Sequence, residues 1–335
     1  MRITPELLQK LARDQVTKSL RQYDDIISVY LAGSVLDGEP LLGGATDIDL
    51  VLVHRDQPPL EREVARISQE ISLDMVHHHQ AFYAQPRRLR LNPWLGRALS
   101  THASILYDTD HWMEYIQAGV GTQFNLPEYI YGRSLPMVDQ ARSLWFDLEN
   151  PQELAPNLWF DQYFKAVGLA ANGVAVLQGN GLTNRRFLVD FPTRVEALSR
   201  PELHGRLLGL LSAGQATREE LLKWREPWHN ALLAVSKLPN SPVNLQPCRH
   251  AYFLNAFDAF LDSGTPHLTV WMLLETWSMA VKPLWQVQEH KSAWLDFLSY
   301  MEFDQDNHPR HVANLDAFLD EVEATLDGYK NSYGL

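Results

Sequence analysis

Hydrophobic spacing changes character once along this chain. Up to about residue 110, apolar residues come in short blocks or alternate with polar ones, and beyond it they recur at three and four. In the first part, Val29-Tyr30-Leu31-Ala32 reads as a buried strand that stops at Gly33-Ser34. After a spacer, Thr46-Asp47-Ile48-Asp49-Leu50-Val51-Leu52-Val53 reads as a second strand. Side chains alternate across a strand, so Asp47 and Asp49 share one face while Ile48, Leu50 and Leu52 pack into a core from the other. Ile71-Ser72-Leu73-Asp74-Met75-Val76-His77 is a further strand, and Ser104-Ile105-Leu106-Tyr107, ending at Asp108, a last short one. Thr4 caps a first helix with Pro5 at its first position and Leu8, Leu11 and Val16 on its apolar side. Pro58-Pro59 opens a second, with Leu60, Val64 and Ile67 on one face. Residues 35–45, with Gly38, Pro40, Gly43 and Gly44, form a short helical turn and loop.

The remainder is helical in pattern. Phe160, Tyr163, Phe164, Val167, Ala170, Ala171, Val174 and Leu177 form one stripe, ended at Gly179 or Gly181. Thr217-Arg218-Glu219-Glu220 is a capping-box sequence opening a helix through Lys237. Further helices fit 245–262, 267–289 with Pro283 kinking or ending it, and 309–329 with Leu315, Phe318, Val322 and Leu326 on one side. The expected fold is an α+β N-terminal domain over 1–110, a small mixed sheet with helices, followed by an all-α bundle over 111–335. The aromatic stripes belong mostly to the bundle core.

Composition narrows the class. Apolar residues make up 45% and charged residues 21%, the balance of a globular chain. No apolar run is long enough to span a membrane. An acidic amphipathic segment follows Met1-Arg2-Ile3, which is no signal-peptide pattern. The single Cys248 excludes an intrachain disulfide and points to a reducing cytoplasm. It reads as a small helix-buried residue, since no Cys-His motif accompanies it. Net charge is −12, and residues 1–110 hold 12 basic against 15 acidic side chains, leaving −9 for the rest. Polyanions are bound through Lys and Arg, so this balance argues against a long nucleic acid as partner. An acidic second domain suits a cationic small partner, and equally serves solubility.

The candidate chemistry lies at the first strand pair. Two carboxylates at i and i+2 on a rigid strand repel and need a cation between them. Oxygen-only ligation suits Mg²⁺, which keeps waters and takes one or two carboxylates plus substrate phosphates. Gly33 lets a phosphate approach the backbone, and Ser34 offers a hydroxyl and an N–H where a helix begins. His77-His78-His79 point to alternate faces and do not converge on one ion; they read as the exposed end of a strand. Arg87, Arg88 and Arg90 are the one dense basic run, solvated or in reach of a triphosphate.

Strand, Gly33-Ser34, spacer, then Asp47-Ile48-Asp49 on the next strand resembles the polymerase-β-like nucleotidyltransferase superfamily. The resemblance covers about the first third of the chain. It implies a third carboxylate on a later strand, for which Asp74 is the candidate. It also implies a hydroxyl residue before the Asp pair, here Thr46. The Arg-Gly pair that many members carry after Gly-Ser is replaced by Val35-Leu36-Asp37-Gly38. By this resemblance Asp47, Asp49 and Asp74 hold Mg²⁺, and Gly33, Ser34 and Thr46 bind the nucleotide. Asp74 then lies nearest the acceptor and is the candidate to take its proton. The layout is similar to that of the aminoglycoside adenylyltransferases, whose helical half supplies part of the acceptor pocket. The implied activity is Mg²⁺-dependent transfer of AMP from ATP, or of another nucleotide, to a hydroxyl of a small molecule. A protein hydroxyl as acceptor, and a non-catalytic nucleotide-binding or regulatory protein, are the alternatives.

Overall fold

The computed structural model describes residues 2–36, 41–100, 104–149 and 154–335. Part of the expected loop over 35–45, namely 37–40, lies outside the described residues. The chain forms two compact units, residues 1–129 with 246–256, and residues 130–245 with 257–335. The sequence pattern placed its boundary at 110/111; by contacts, residues 111–129 and 246–256 both pack within the first unit.

The first unit is the α+β part. Helix α1 (Pro5–Gln22) begins where the Thr4 side chain accepts from the Leu7 N–H, and it buries Leu8, Ala12 and Val16. Strands β1 (Ile26–Ala32), β2 (Thr46–His54), β3 (Arg62–Arg66), β4 (Ile71–His79) and β5 (Ile105–Asp108) form one sheet in the order β3-β4-β2-β1-β5. The sheet is mixed: β2 and β4 are parallel, and the other pairs are antiparallel. A tight turn, Leu42 to Ala45, precedes β2, and both of its central glycines, Gly43 and Gly44, have positive φ. That conformation is what a two-residue hairpin turn demands.

One sheet face carries Ile48, Leu50, Leu52, Leu73 and Met75 against α1. Each such side chain contributes ~1.5–3 kcal/mol by leaving water. The other face is divided along its length. At the far end of β2, Val51 and Val53 are buried with Tyr30, Tyr83, Met113 and Val120 beneath the helices Pro86–Arg90 and Trp112–Phe124. At the near end the same face presents Asp47 and Asp49.

Two expectations fail here. Residues 62–66 are a strand rather than the helix drawn from Leu60, Val64 and Ile67. The ladder of β4 recruits this segment, and the edge pairing outweighs a weak helical pattern. His77 is not exposed: it is 3% accessible, because His54, Glu63 and the Tyr23 ring pack against it. His54 bonds the Asp25 carboxylate through Nδ1 and His77 through Nε2, both at 2.9 Å, and His77 reaches Glu63 at 3.2 Å. Tyr23 closes edge-on over both rings. His78 sits on the opposite face, 2.8 Å from the Tyr83 hydroxyl, as strand alternation requires.

Among its described residues the second unit has helices and no strand. Its helices include Pro156–Ala175, Arg218–Val235, Val270–Leu284 and His308–Tyr333, and Trp228, Trp277 and Trp294 lie fully buried among them. The Thr217 side chain accepts from the Glu220 N–H, as its capping-box sequence predicts. Part of the unit's acidity is already matched: Arg142 bonds Asp316, Asp320 and Glu323.

Burial lowers the proton affinity of His77 and His78 in the first unit and of His204, His229, His308 and His311 in the second. Each is held below its ordinary value of 6.5, so the unfolded chain takes protons first as pH falls. Stability from these groups is complete above pH 6.5 and is lost below it. Thermal melts of Asp49→Asn, which lacks a carboxyl whose raised pKa acts in the opposite sense, should therefore move to lower temperature from pH 7 to pH 5. A melting point that is flat or rises over that range defeats the assignment.

Candidate metal and nucleotide site

Parallel pairing of β2 with β4 sets Asp49 directly opposite Asp74, and Asp47 opposite Ser72. In-register neighbours on adjacent strands project to the same side, so Asp47, Asp49 and Asp74 meet. A carboxylate oxygen from each lies within 4.8 Å of the others. Asp47 and Asp74 are 4% and 2% accessible, and Asp49 is half-buried.

Gly33 ends β1 beside this cluster. Its φ is +67°, and a Cβ there would lie 1.8 Å from Oδ2 of Asp49. In this structure the missing side chain makes room for the Asp49 carboxylate. Gly33 is exposed, and it opens a four-residue 3-10 turn through Leu36. Ser34 is half-buried, and its hydroxyl has no protein partner among the described residues. Thr46 does not join the group: it is fully buried, and its hydroxyl donates to the Asp47 carbonyl. Its position in β2 places it on the face of Ile48, opposite the carboxylates.

Two guanidiniums complete the cluster. Arg62 of β3 donates through Nε and a terminal nitrogen to the two oxygens of Asp74, at 2.7 and 2.5 Å. Arg249 reaches in from a short turn, Pro247–Arg249, donating to Asp74 and, at 2.8 Å, to Asp47. Three carboxylates against two guanidiniums leave one formal negative charge. Burial, then the charges of Asp47 and Asp74, raise the proton affinity of Asp49 well above the usual carboxylate range, against the pull of Arg249 and Arg62. Burial works against the charge on Arg249, but Asp47 and Asp74 hold it firmly protonated. Among the described residues, Asp49 is thus the one carboxylate of the three that no guanidinium grips.

Neither arginine was marked in the sequence. Arg62 fell in a segment read as a helix, and Arg249 lies 202 residues from Asp47 with no motif around it. The basic run that did stand out is elsewhere employed or solvated. Arg87 and Arg88 are exposed, and Arg90 bonds the Tyr129 hydroxyl and the Gly119 carbonyl. Cys248 is half-buried within the single 3-10 helical turn Pro247–Arg249, with burial pushing its thiol up.

The donor chemistry fits a hard divalent cation: three carboxylates, close enough to share it, with a Ser hydroxyl and exposed glycine backbone beside them. No protein-family model and no curated protein matches the chain. Among solved structures it is similar to a nucleotidyltransferase-like protein from Exiguobacterium sibiricum, at 12% identity and a TM-score of 0.32, over 83% of this chain and 79% of that one.

Proposed function

We propose that the first unit is a Mg²⁺-dependent nucleotidyltransferase domain that moves AMP from ATP to a hydroxyl of a small molecule, with the helical unit binding the acceptor. The observation that carries this reading is the convergence of Asp47, Asp49 and Asp74 from two paired strands beside Gly33. These three carboxylates would hold the metal, which supplies charge neutralisation on the phosphates and lowers the acceptor's pKa. Gly33 contributes exposed backbone and Ser34 a hydroxyl for the phosphate chain. Arg62, with about a third of its side chain exposed, adds a cation at the edge of the cluster. In the transfer, the acceptor oxygen bonds the α-phosphorus as the bond to the bridging oxygen breaks. Pyrophosphate leaves with that electron pair, and the acceptor's proton passes to water. Asp74 is ill suited to take it, because Arg62 and Arg249 already occupy its oxygens.

The negative second unit favours a cationic acceptor that also carries hydroxyls, such as an aminosugar. A cavity within that unit does not serve this purpose directly: its carboxylate, Glu302, is paired with Arg310 and Gln215. One observation favours a second reading, a nucleotide-binding protein without turnover: the two guanidiniums already neutralise most of the cluster. Incubation with each α-labelled triphosphate, Mg²⁺ and a panel of aminosugars, polyamines and proteins separates the readings. Release of pyrophosphate from ATP with a labelled small-molecule product is expected, and Asp47→Asn should abolish it. Binding of triphosphate with no pyrophosphate under any acceptor supports the second reading instead.

A further inference from the structure

The grip of Arg249 has a direct competitor. Its guanidinium is 3% accessible and donates to Asp47 and Asp74, two of the three carboxylates that a metal ion would need. The side chain is not a loose surface arm. Arg66 of β3 donates to the Pro247 carbonyl at 2.8 Å and fixes the turn. The guanidinium carbon lies 5.0 Å from the centre of the Tyr252 ring. Its Nε, however, is buried with no hydrogen-bond partner among the described residues. The planar fork of Arg has five donors and matches phosphate as well as carboxylate. The present arrangement therefore leaves donor capacity unused.

We propose that Arg249 is the exchangeable counter-cation of this cluster. It keeps free divalent metal off Asp47 and Asp74, and yields only when a triphosphate arrives with the metal. This rests on the reading of the three carboxylates as a metal site. A bare divalent ion entering beside Arg249 meets a fixed positive charge and only one formal negative charge in excess. An accompanying triphosphate reverses that balance and offers the displaced guanidinium new acceptors. Metal and triphosphate should accordingly bind as a unit, and metal alone weakly.

Calorimetric titration of Mn²⁺ alone into the full chain tests this. Arg249→Gln removes the competing charge and should bind Mn²⁺ at least ~10-fold tighter than wild type. Arg249→Lys keeps a cation, so the fold is spared the unpaired carboxylates. An ammonium on a flexible stem bridges two carboxylates less well, so a smaller gain of about threefold is expected. That variant decides the matter if Arg249→Gln does not fold. In wild type, ATP should strengthen Mn²⁺ binding more than it does in either variant. Adding Asp49→Asn to Arg249→Gln should remove the tight site; if the site persists, the ion lies elsewhere and the inference fails. Equal Mn²⁺ affinity in all three proteins overturns the role of Arg249 while leaving the metal site standing. No Mn²⁺ binding by any of them, with or without ATP, removes the metal reading and this inference with it.

Discussion

Asp49→Asn should raise the melting temperature of the ligand-free protein at pH 8 and abolish the further rise that Mg²⁺ with ATP produces in wild type. Asn keeps the volume and removes the charge. In the folded state that charge is opposed by burial and by Asp47 and Asp74, and no guanidinium bonds it. The sign of the pH dependence follows. Because the folded-state pKa lies above the ordinary 3.8, the native protein takes this proton before the unfolded chain does. The cost of Asp49 is therefore full at alkaline pH and fades as pH falls through its raised value. The advantage of Asp49→Asn should shrink in step. A gain of even ~1 kcal/mol is visible as roughly 2–4 °C in the melting of a unit the size of the first, residues 1–129 with 246–256. The ligand arm reads a different property: a metal site that has lost one of three carboxylates should lose most of its mass-action stabilisation. A variant that melts below wild type at pH 8, or that keeps the full shift with Mg²⁺ and ATP, would make Asp49 a structural carboxylate with no part in metal binding.

Asp74→Asn makes the same chemical change in the same cluster and should act in the opposite direction. Asp74 is 2% accessible and accepts from both Arg62 and Arg249. Arg62 can turn to solvent, being 37% exposed, but Arg249 at 3% cannot. Removing one partner of a buried ion pair strands the other charge and costs about 3–5 kcal/mol. The remaining bond from Arg249 to Asp47 favours the lower end, and ~3 kcal/mol corresponds to a fall of roughly 6–12 °C. Urea denaturation of the two variants beside wild type makes the comparison direct. Opposite signs are expected; a shared sign shows that the cluster behaves as three equivalent carboxylates, and the division between gripped and ungripped acids is then wrong.

Local chemistry was enough to place much of this protein. Thr4 and Pro5 start a helix because a side-chain oxygen satisfies a free N–H and proline lacks one. Asp47 and Asp49 share a face because a strand has a period of two. Asp74 sits in a strand because apolar residues flank it, and the Thr217 cap and the stripe at Leu315, Phe318, Val322 and Leu326 mark helices of the second unit. Each of these depends on residues a few positions apart, where sequence spacing fixes geometry.

Other features were settled by contacts that no local pattern encodes. Parallel register between β2 and β4 sets Asp49 opposite Asp74, and a slip of one residue would turn Asp74 to the other face. Residues 62–66 are a strand because β4 offers a free ladder, and His77 is buried because His54 and Tyr23 pack against its ring. Gly33 stands against the carboxylate of Asp49, a neighbour that only the pairing of β1 with β2 supplies. Arg249 belongs to the cluster across 175 residues from Asp74, since an unpaired carboxylate in a dry site costs more than the closing of a long loop. Spacing along the chain decides which face a side chain takes; only the folded chain decides which charge it meets there.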